Sequence, residues 1–328
     1  MNFDIDFVVT WVDGSDPVWL KKRRQVDSRS GDKQTLRYRD YGVFKYWFRA
    51  VQKYAPWVHR VYLVTDNQVP VWLNMNNSKL RIIDHSQIIP SSALPTFNSN
   101  SIELNVFKIK ELSEHFVLFN DDMFLNAPVK KSDFFSSKGL PKDMAVQNAI
   151  MPIEDFDYIS VNNIKIINQH FSKSEVLKTQ LFKFFNFKYG YYNILSILLL
   201  PWPRFTRFLD PHVPVSLLKS IFKNVIEENT DSYKKTVYHK FRSKEDNSFW
   251  LVRYYQLVLG KFKPRFIGFG KKYNFNEINA ILKDIKRHKH KVICVNDVEL
   301  STDEFKRNSD LLLRSLNNNL KNKSSFEK

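Results

Sequence analysis

Two adjacent carboxylates follow a strongly apolar segment of the chain. The run Phe-Val-Leu-Phe at 116–119 is followed by Asn120, Asp121 and Asp122, after which the chain becomes apolar again. A run of this kind is typical of a buried strand. Adjacent acids at the tip of such a strand suit Mg²⁺ or Mn²⁺, with one acid ligating directly and the other through water. We therefore predict a divalent metal ion at Asp121 and Asp122.

Three further stretches contain residue types with chemical uses. At 11–17 (WVDGSDP), glycine and proline predict a sharp turn that carries two carboxylates. At 210–214 (DPHVP), two prolines restrict the backbone around His212, whose neutral imidazole is a competent base near pH 7. At 238–246 (YHKFRSKED), the Arg242 guanidinium could hold a phosphoryl oxygen through two hydrogen bonds. The alternatives without a role in chemistry are, in the same order, a surface turn, a structural histidine and a solvated helix end.

The elements that must position these residues share one pattern. Each is an apolar, β-branched or aromatic run that stops at an acid, and the five runs are 5–13, 59–66, 80–85, 115–122 and 291–297. Runs that are apolar on both faces predict central strands of a parallel sheet covered by helices. Ligands bind beyond the carboxyl ends of such strands. Acids gathered at that edge repel one another until a divalent cation relieves them.

Helices are predicted between the strands. Residues 41–54 place aromatic side chains on one face at helical spacing, and Pro56 ends the helix. Residues 98–112 begin with a capping-box pattern of Asn100 and Glu103. A helix N-terminus at the carboxyl edge of the sheet would present free N–H groups to phosphate.

The amino-acid composition limits the classes of function that this chain can have. The 328 residues include 43% hydrophobic side chains, enough for a substantial core, and the net charge of +17 favours an anionic partner. Nucleic acid, an acidic membrane face, nucleotide phosphates and a charged polymer all meet that description. A single cysteine, Cys294, excludes an internal disulfide framework, and no secretory signal opens the chain, so we expect a cytoplasmic enzyme. Beyond Leu300 we expect an amphipathic closing helix and a frayed end.

One segment has two open interpretations. Aromatic residues alternate with lysine at 182–192, and the apolar run 193–203 that follows is short and is broken by two prolines. It is therefore too short to span a bilayer. The segment fits either a buried helix with an aromatic flank or a peripheral attachment to a membrane.

Several of these blocks, in order and spacing, resemble the Stealth proteins. The matching blocks are IDFVVTWVDGSDPVW at 5–19, the long block 36–74, LPTFNSNSIE at 94–103, LSEHFVLFNDDMF at 112–124, PHVP at 211–214, HKFRSKED at 239–246 and ICVND at 293–297. Stealth proteins are hexose-1-phosphate transferases that include bacterial capsule polymerases and the catalytic subunit of the lysosomal N-acetylglucosamine-1-phosphotransferase. Residues 186–216 resemble the bacterial capsule branch in particular.

The resemblance implies a fold and a reaction. The expected fold is α/β, with a Rossmann-like, mostly parallel sheet of the glycosyltransferase-A type and a helical insertion. Residues 1–150 would form the nucleotide-sugar-binding core, 151–260 the insertion with acceptor-side and catalytic residues, and 261–328 the return to the core. An acceptor hydroxyl would attack the sugar-proximal phosphorus of a nucleotide sugar and release a nucleoside monophosphate. Positioning and neutralisation of charge do most of the work in phosphoryl transfer.

The resemblance also implies roles for individual residues. The implied metal ligands for Mg²⁺ or Mn²⁺ are Asp121 and Asp122, with Asp297 or Asp13 completing the shell. The implied catalytic residues are Asp13, His212 as general base or phosphate contact, and Arg242 as the clamp on the transition state. The implied substrate-binding residues are Trp11, Gly14, Arg37, Arg39, Asn98, Ser99, Asn120 and Asn296. The implied partners are a UDP-sugar donor and an anionic glycan acceptor, with possible contact with the inner face of the cell membrane and no nucleic acid.

Two departures from the family pattern and two competing classes remain. Val215 stands where the family often has a second His or Asn, so the base assignment rests on His212 alone. The helix at 44–50 differs from the usual motif and would bring Arg49 within reach of the site. A metal-dependent glycosyltransferase would use the same acid-tipped sheet. A nucleic-acid-binding protein or nuclease would explain the charge, but the sequence has no known reader motif.

Overall fold

A computed structural model describes residues 1–26, 39, 41–154 and 156–328. The strands are β1 (Ile5–Thr10), β2 (Val61–Thr65), β3 (Leu80–Asp84), β4 (His115–Asn120), β5 (Met123–Leu125), β6 (Lys142–Asp143), β7 (Val215–Leu218), β8 (Lys263–Pro264), β9 (Gly270–Asn274) and β10 (Val292–Asn296). The helices are α1 (Pro17–Val26), α2 (Phe44–Tyr54), α3 (Ser99–Glu103), α4 (Lys131–Phe134), α5 (Asp157–His170), α6 (Lys173–Phe184), α7 (Asn193–Leu198), α8 (Lys219–Glu228), α9 (Thr230–Tyr238), α10 (Trp250–Val258), α11 (Ile278–Arg287) and α12 (Thr302–Asn319).

The central sheet has the strand order β3-β2-β1-β4-β7. β1, β2, β3 and β4 are parallel, and β7 runs antiparallel to β4 at the edge. Four of the five acid-terminated runs therefore lie side by side with their carboxyl ends at one edge, as the sequence predicts. The mixed α/β architecture is consistent with a Rossmann-like fold. Residues 151–260 are mostly helical, but they also supply β7 to the sheet.

The prediction for the fifth run is wrong in one respect. β10 belongs to a second sheet of order β5-β10-β9, where it is antiparallel to β5 and parallel to β9. The chain leaves β4, turns at Asp121 and Asp122, and continues as β5 in that second sheet. The backbone N–H of Val295 donates to the carbonyl of Asp122 at 2.9 Å. The two sheets therefore meet at the paired acids.

Both faces of the central sheet are covered, which explains why its strands are mostly apolar. In β1, Phe7 and Val9 pack into one core with α2, whereas Val8 packs into the other core with α10. All three side chains are fully buried. Because successive side chains of a strand point to opposite faces, a strand covered on both sides favours apolar residues at consecutive positions.

The helix predictions were partly right. The helix predicted at 41–54 is α2, whose apolar face packs in the core. The helix predicted at 98–112 is wrong in length, because α3 ends at Glu103 and a separate 3₁₀ turn covers Val106–Lys108. The N-cap is Asn98, whose side chain accepts from the N–H of Asn100, so the predicted capping box is not the one used.

The C-terminus corrects two further predictions. α12 is present, but the end beyond it is not frayed: Lys328 N–H donates to the Trp72 carbonyl, and Glu327 forms an isolated bridge with Leu73. Arg49 belongs to this anchor and not to the functional site. Its Nη2 lies 2.7 Å from Glu327 Oε2, and its Nη1 donates to the Leu320 carbonyl at 2.9 Å.

We expect Arg49→Met to lower the free energy of unfolding by about 3–5 kcal/mol, because it leaves the nearly buried Glu327 carboxylate without its partner. Urea unfolding at pH 7 measures the change. The matched control is Lys223→Met, which breaks the exposed pair with Glu227 and should cost about 1 kcal/mol or less. Equal losses in the two variants would show that the buried pair does not hold the C-terminal segment.

Candidate functional site

The centre of the candidate site is the turn at Asp121 and Asp122. It follows Asn120, which pairs with Thr10 at the carboxyl end of β1, and it precedes β5 of the second sheet. Both acids are partly buried. The turn is thus held at both ends by strands of different sheets, which fixes two like charges next to each other at the predicted edge.

The Asp122 carboxylate has an unusual environment. Its Oδ2 accepts from the Cys294 thiol at 3.2 Å, while its Oδ1 is buried without a hydrogen-bond partner among the described residues. Burial raises the pKa of Asp122, although the Cys294 hydrogen bond and the positive charges of Lys272 and Arg242 oppose the increase. An oxygen that is buried and lacks a donor marks a place where a cation would be stabilised.

Asp297 is held by Arg39 in a two-point ion pair. Arg39 Nε and Nη2 donate to Asp297 Oδ2 and Oδ1 at 3.0 and 2.9 Å, and the guanidinium also lies over the Phe305 ring. Burial and the negative charges of Asp297, Asp122 and Asp121 raise the pKa of Tyr41. Asp297 therefore lies in the same neighbourhood as the paired acids, with Arg39 as the partner of both of its oxygens.

His212 is brought to the same place by strand register. β7 begins at Val215 opposite Leu118 of β4 and runs in the opposite direction, so the residues before β7 lie beside the end of β4. His212 has a positive φ of 47° and stacks on Trp250 with ring centroids 6.0 Å apart. Burial, assisted by the positive charges of Lys272, Arg207 and Arg242, lowers the pKa of His212 to about 4. The imidazole is therefore neutral at pH 7.

β9 lies close to the His212 loop because Gly270 has no side chain. A Cβ at Gly270 would lie 2.6 Å from Val213 Cγ1 and 3.2 Å from the carbonyl oxygen of Val292, which is closer than van der Waals contact allows. Two residues later on the same strand, Lys272 pairs in register with Cys294 and is exposed. The close approach thus delivers a cation that acts on both Asp122 and His212.

The His212 loop is anchored by a buried ion network. Asp210 accepts from Arg253 Nη1 at 2.9 Å and from the Tyr254 hydroxyl at 2.7 Å. Arg253 is fully buried and also makes two hydrogen bonds to Asp143. A buried arginine that bridges two carboxylates has a fixed geometry. His212, two residues after Asp210, is therefore attached to a segment whose position is fixed.

Arg242 is held at the start of α3. Its Nε and Nη2 donate to Ser99 Oγ at 3.0 and 2.6 Å, and the guanidinium lies over the Phe156 ring at 5.4 Å. Burial raises the pKa of the Glu103 carboxyl to about 7, with Arg242 opposing the increase and Asp122 adding to it. Arg242 is thus close enough to influence Asp122, Glu103 and His212.

A buried carboxylate fixes the loop that carries Arg242. Asp246 is fully buried, its Oδ1 lies 2.7 Å from His239 Nδ1, and its Oδ2 accepts from Asn98 and Asn100 at 2.8 and 3.2 Å. The same oxygen accepts from the backbone N–H of Ser243 at 3.1 Å. Asn98 therefore lies behind the surface of the site, where it joins α3 to the Arg242 loop.

The turn after β1 lies next to the paired acids along the same edge. Trp11 stacks parallel to Phe44 at 5.3 Å, so one of its faces is covered by the core. The Asp13 carboxylate accepts from the backbone N–H and hydroxyl of Ser15 at 2.8 and 2.6 Å, and Gly14 completes the turn. The Asp13 backbone is bonded in both directions to the Gln68 side chain.

A cleft of about 920 Å³ opens at the carboxyl ends of β2 and β3. Gln68 is part of its lining, which places the cleft next to the Asp13 turn, and the Lys22–Asp66 ion pair lies in its wall. Thr65, Asp84 and His85 are among its lining residues, and each has one buried polar side-chain atom without a hydrogen-bond partner among the described residues. Its volume suits a ligand of nucleotide size.

The residues of the candidate site would supply part of the ligand set of a magnesium ion. Across the described ranges, no three His, Cys, Asp or Glu side chains converge as a complete metal cage. Mg²⁺ does not require one, because it is usually held by one or two carboxylates together with substrate phosphates and waters. Asp121 and Asp122, with the unpartnered Oδ1 of the latter, supply that donor set.

The structure brings some of the predicted site residues together and leaves others apart. Asp121, Asp122, Asp297, His212, Arg242 and Ser99 gather around one electrostatic neighbourhood. Asn120 and Asn296 end β4 and β10 beside it. Arg37 lies outside the described residues. Sequence reasoning gave no role to Lys272 or to Asp246, the last residue of the block 239–246, because their roles depend on partners far along the chain.

Comparisons with known proteins show which proteins this chain is similar to. Two family models match: "Stealth protein CR1, conserved region 1" over residues 3–31 and "Stealth protein CR2, conserved region 2" over residues 37–143. The exopolysaccharide phosphotransferase cps2G of Lactiplantibacillus plantarum is 57% identical over 326 residues, which cover 99% of this chain and 97% of that protein.

Two streptococcal relatives extend the comparison. The capsular polysaccharide phosphotransferase WcwK of Streptococcus pneumoniae is 46% identical over 330 residues, covering 99% of this chain and 98% of that protein. The receptor polysaccharide phosphotransferase WefC of Streptococcus gordonii is 40% identical over 339 residues and covers 98% of both chains. With such identity over nearly the whole length, and with two conserved Stealth regions matched, the chain belongs to the Stealth family of transferases.

Proposed function

We propose that this chain transfers a sugar 1-phosphate from a nucleotide sugar to a hydroxyl group of a glycan acceptor, in the synthesis of a capsular or related cell-surface polysaccharide. The oxygen of the acceptor forms a bond to the sugar-proximal phosphorus, and the bond from that phosphorus to the bridging oxygen breaks. The products are a phosphodiester and a nucleoside monophosphate. The observation that carries the proposal is the convergence of Asp121, Asp122, His212 and Arg242 at one sheet edge in a chain whose relatives are named polysaccharide phosphotransferases.

The donor would lie across the carboxyl edge of a glycosyltransferase-A type sheet. The cleft at β2 and β3 has the volume and the unpartnered polar atoms to take the nucleoside, with uridine as our first choice. From β3 to β4 there are three strand spacings, or roughly 14 Å. That span is comparable to a nucleotide sugar, so the diphosphate would lie over the ends of β1 and β4, near Trp11, Gly14 and Asn120.

Asp121 and Asp122 would hold Mg²⁺ or Mn²⁺, which would supply neutralisation of the diphosphate and of the leaving phosphate. The protein's own cations share that task. Arg242 and the exposed Lys272 both act on Asp122 from the side of His212. A cation held in this way lowers the barrier because it is already oriented toward the charge that develops on phosphoryl oxygens.

His212 would accept the proton of the acceptor hydroxyl. It is neutral at pH 7 and is flanked by Trp250, whose ring fixes the plane of the imidazole. The arrival of a doubly negative diphosphate would increase the basicity of the imidazole by countering Lys272, Arg207 and Arg242. The enzyme would work in the cytoplasm, at the inner face of the cell membrane, on an anionic glycan acceptor.

The first experiment identifies the nucleotide product. The purified protein is incubated with a panel of nucleotide sugars, Mg²⁺ and an oligosaccharide acceptor, and the released nucleotides are separated by ion-exchange chromatography. We expect UMP from a UDP-sugar and a phosphodiester signal in the ³¹P NMR spectrum of the product. Release of UDP with a product that lacks phosphorus would instead identify a metal-dependent glycosyltransferase.

We expect Asp122→Asn to lower kcat by 10² to 10³ or more, on the order of losses seen when a charge stabiliser is removed. The folded state should persist, because the change removes a charge whose burial is unfavourable. Thermal unfolding with donor should show a stabilisation by Mg²⁺ in the wild type but not in the variant.

The control for Asp122→Asn is Asp310→Asn, on the exposed surface of α12, which should leave kcat unchanged. EDTA should lower wild-type turnover to the level of Asp122→Asn. Turnover near that of the wild type in Asp122→Asn would remove this carboxylate from the site.

We expect His212→Gln to lower kcat by about 10² to 10⁴. Because the pKa of His212 is about 4 in the folded protein, wild-type kcat/KM should fall as the pH drops toward 4, and the variant should lack this limb. His170→Gln, an exposed histidine at the end of α5, is the matched control and should keep the limb. An unchanged acid limb in His212→Gln would assign the base to another group.

The same residue predicts a pH dependence of stability. The folded pKa of about 4 lies below the usual value of 6.5, so the unfolded chain binds more protons between these values. The contribution of neutral His212 is therefore fully present above pH 6.5 and is lost as the pH falls to 4, by no more than about 3 kcal/mol. Urea unfolding at pH 7.5 and 5 should show a smaller difference in His212→Gln than in the wild type.

A further inference from the structure

The segment that had two interpretations from sequence is exposed in the structure. Six large side chains on α6, on α7 and in the chain around them are 52–85% exposed, namely Phe182, Phe187, Tyr191, Ile194, Leu198 and Trp202, and we call them the aromatic surface. The interpretation of a buried helix is therefore wrong. On α7, Ile194 and Leu198 share a face at helical spacing, while Ser196 is buried on another.

The aromatic surface is built on a rigid base. The Lys173 ammonium donates to the carbonyl of Trp202 at 2.8 Å, and the hydroxyl of Ser196 accepts from the backbone N–H of Gln147 at 2.9 Å. Tyr189 is fully buried, and its hydroxyl donates to the Lys183 carbonyl at 2.7 Å. The polar groups of the segment thus face the protein, and its apolar side chains are the ones left in water.

Cations surround the aromatic surface. No acidic residue occurs between Glu175 and Asp210, a stretch that contains the cations Lys178, Lys183, Lys188, Arg204 and Arg207. Lys183 donates to the carbonyl of Gly260 at 2.6 Å and Lys188 to that of Pro264 at 3.3 Å. These contacts bring the exposed Lys261 and Lys263 alongside. The aromatic surface is therefore apolar at its centre and is surrounded by positive charge.

We propose that the aromatic surface is a docking site for an anionic lipid bilayer, with Phe182, Phe187 and Trp202 entering the headgroup region and the surrounding lysines contacting lipid phosphates. Aromatic and basic side chains together are favoured at that depth. Each lysine near an anionic bilayer adds binding energy that salt weakens. The inference locates the membrane contact proposed above, but it does not depend on the transfer reaction.

A second copy of the chain fits this surface less well. A two-fold dimer interface places the same patch against itself, so the ring of lysines would face an identical ring. Like charges brought together in this way are unfavourable. Within the described ranges no helix is both long and apolar enough to cross a bilayer.

Vesicle sedimentation tests the proposal without donor or acceptor. The wild-type protein should sediment with vesicles of equal parts phosphatidylglycerol and phosphatidylcholine, but much less with phosphatidylcholine alone. Phe182→Ser combined with Phe187→Ser should lower partitioning about tenfold or more, because both rings are more than 80% exposed and contribute little to folding. Val71→Ser combined with Met75→Ser, which are 86% and 61% exposed outside the aromatic surface, is the matched control and should bind as the wild type does.

The charge is tested separately. Lys261→Glu combined with Lys263→Glu should weaken binding to phosphatidylglycerol vesicles, and the loss relative to wild type should shrink as salt is raised. Failure of the wild type to bind these vesicles would overturn the proposal. So would a concentration-dependent dimer in light scattering that the Phe182 and Phe187 changes abolish, since the surface would then be a self-association interface. Nucleotide release with a soluble acceptor, measured on the same variants, reports on the transfer reaction independently.

Discussion

The architecture depends on holding two carboxylates, Asp121 and Asp122, in a turn that joins two sheets. Ionised acids resist burial, and burial raises the pKa of Asp122. The turn does not relax into solvent because β4 and β5 fix its two ends in different hydrogen-bonded ladders. The apolar strands therefore hold the two carboxylates in an electrostatically unfavourable arrangement, which a cation and a phosphate ligand would stabilise.

Buried acids position the groups that face the ligand. Asp246 fixes the loop of Arg242, and Asp210 fixes the loop of His212 through the buried Arg253. In both cases the buried carboxylate is satisfied by several donors, which offsets the cost of removing it from water. The more accessible side chains, Arg242 and His212, therefore do not have to stabilise their own loops. This division explains why His212 lies two positions after the buried Asp210 and Arg242 four positions before the buried Asp246.

The net positive charge is distributed unevenly between two regions with different chemistry. At the sheet edge, Lys272 and Arg242 lie among carboxylates and tune Asp122 and His212. Around the aromatic surface, lysines occur in a stretch with no acids at all. A cation among acids acts on a small ligand at short range, whereas unopposed cations beside exposed aromatic rings suit an extended anionic surface. The overall charge of +17 alone could not separate these uses.

The sequence by itself determined the local features of this protein. The apolar runs predicted β1 to β4, the shared edge, and the location of Asp121 and Asp122 at the tip of β4, because period and burial are encoded within a few residues. The motif order also identified the Stealth family. His212 and Arg242 were singled out by residue type and by neighbouring prolines or cations.

Only the tertiary structure decided which distant residues meet. Arg39 and Asp297 are 258 positions apart, and Arg49 and Glu327 are 278 apart, so no local pattern could assign the first pair to the site and the second to the C-terminal anchor. The transfer of β10 to a second sheet, the approach of Lys272 through Gly270, and the exposure of the aromatic surface have the same origin. Each depends on the packing of whole elements, because burial and long-range pairing are properties of the folded chain and not of a sequence window.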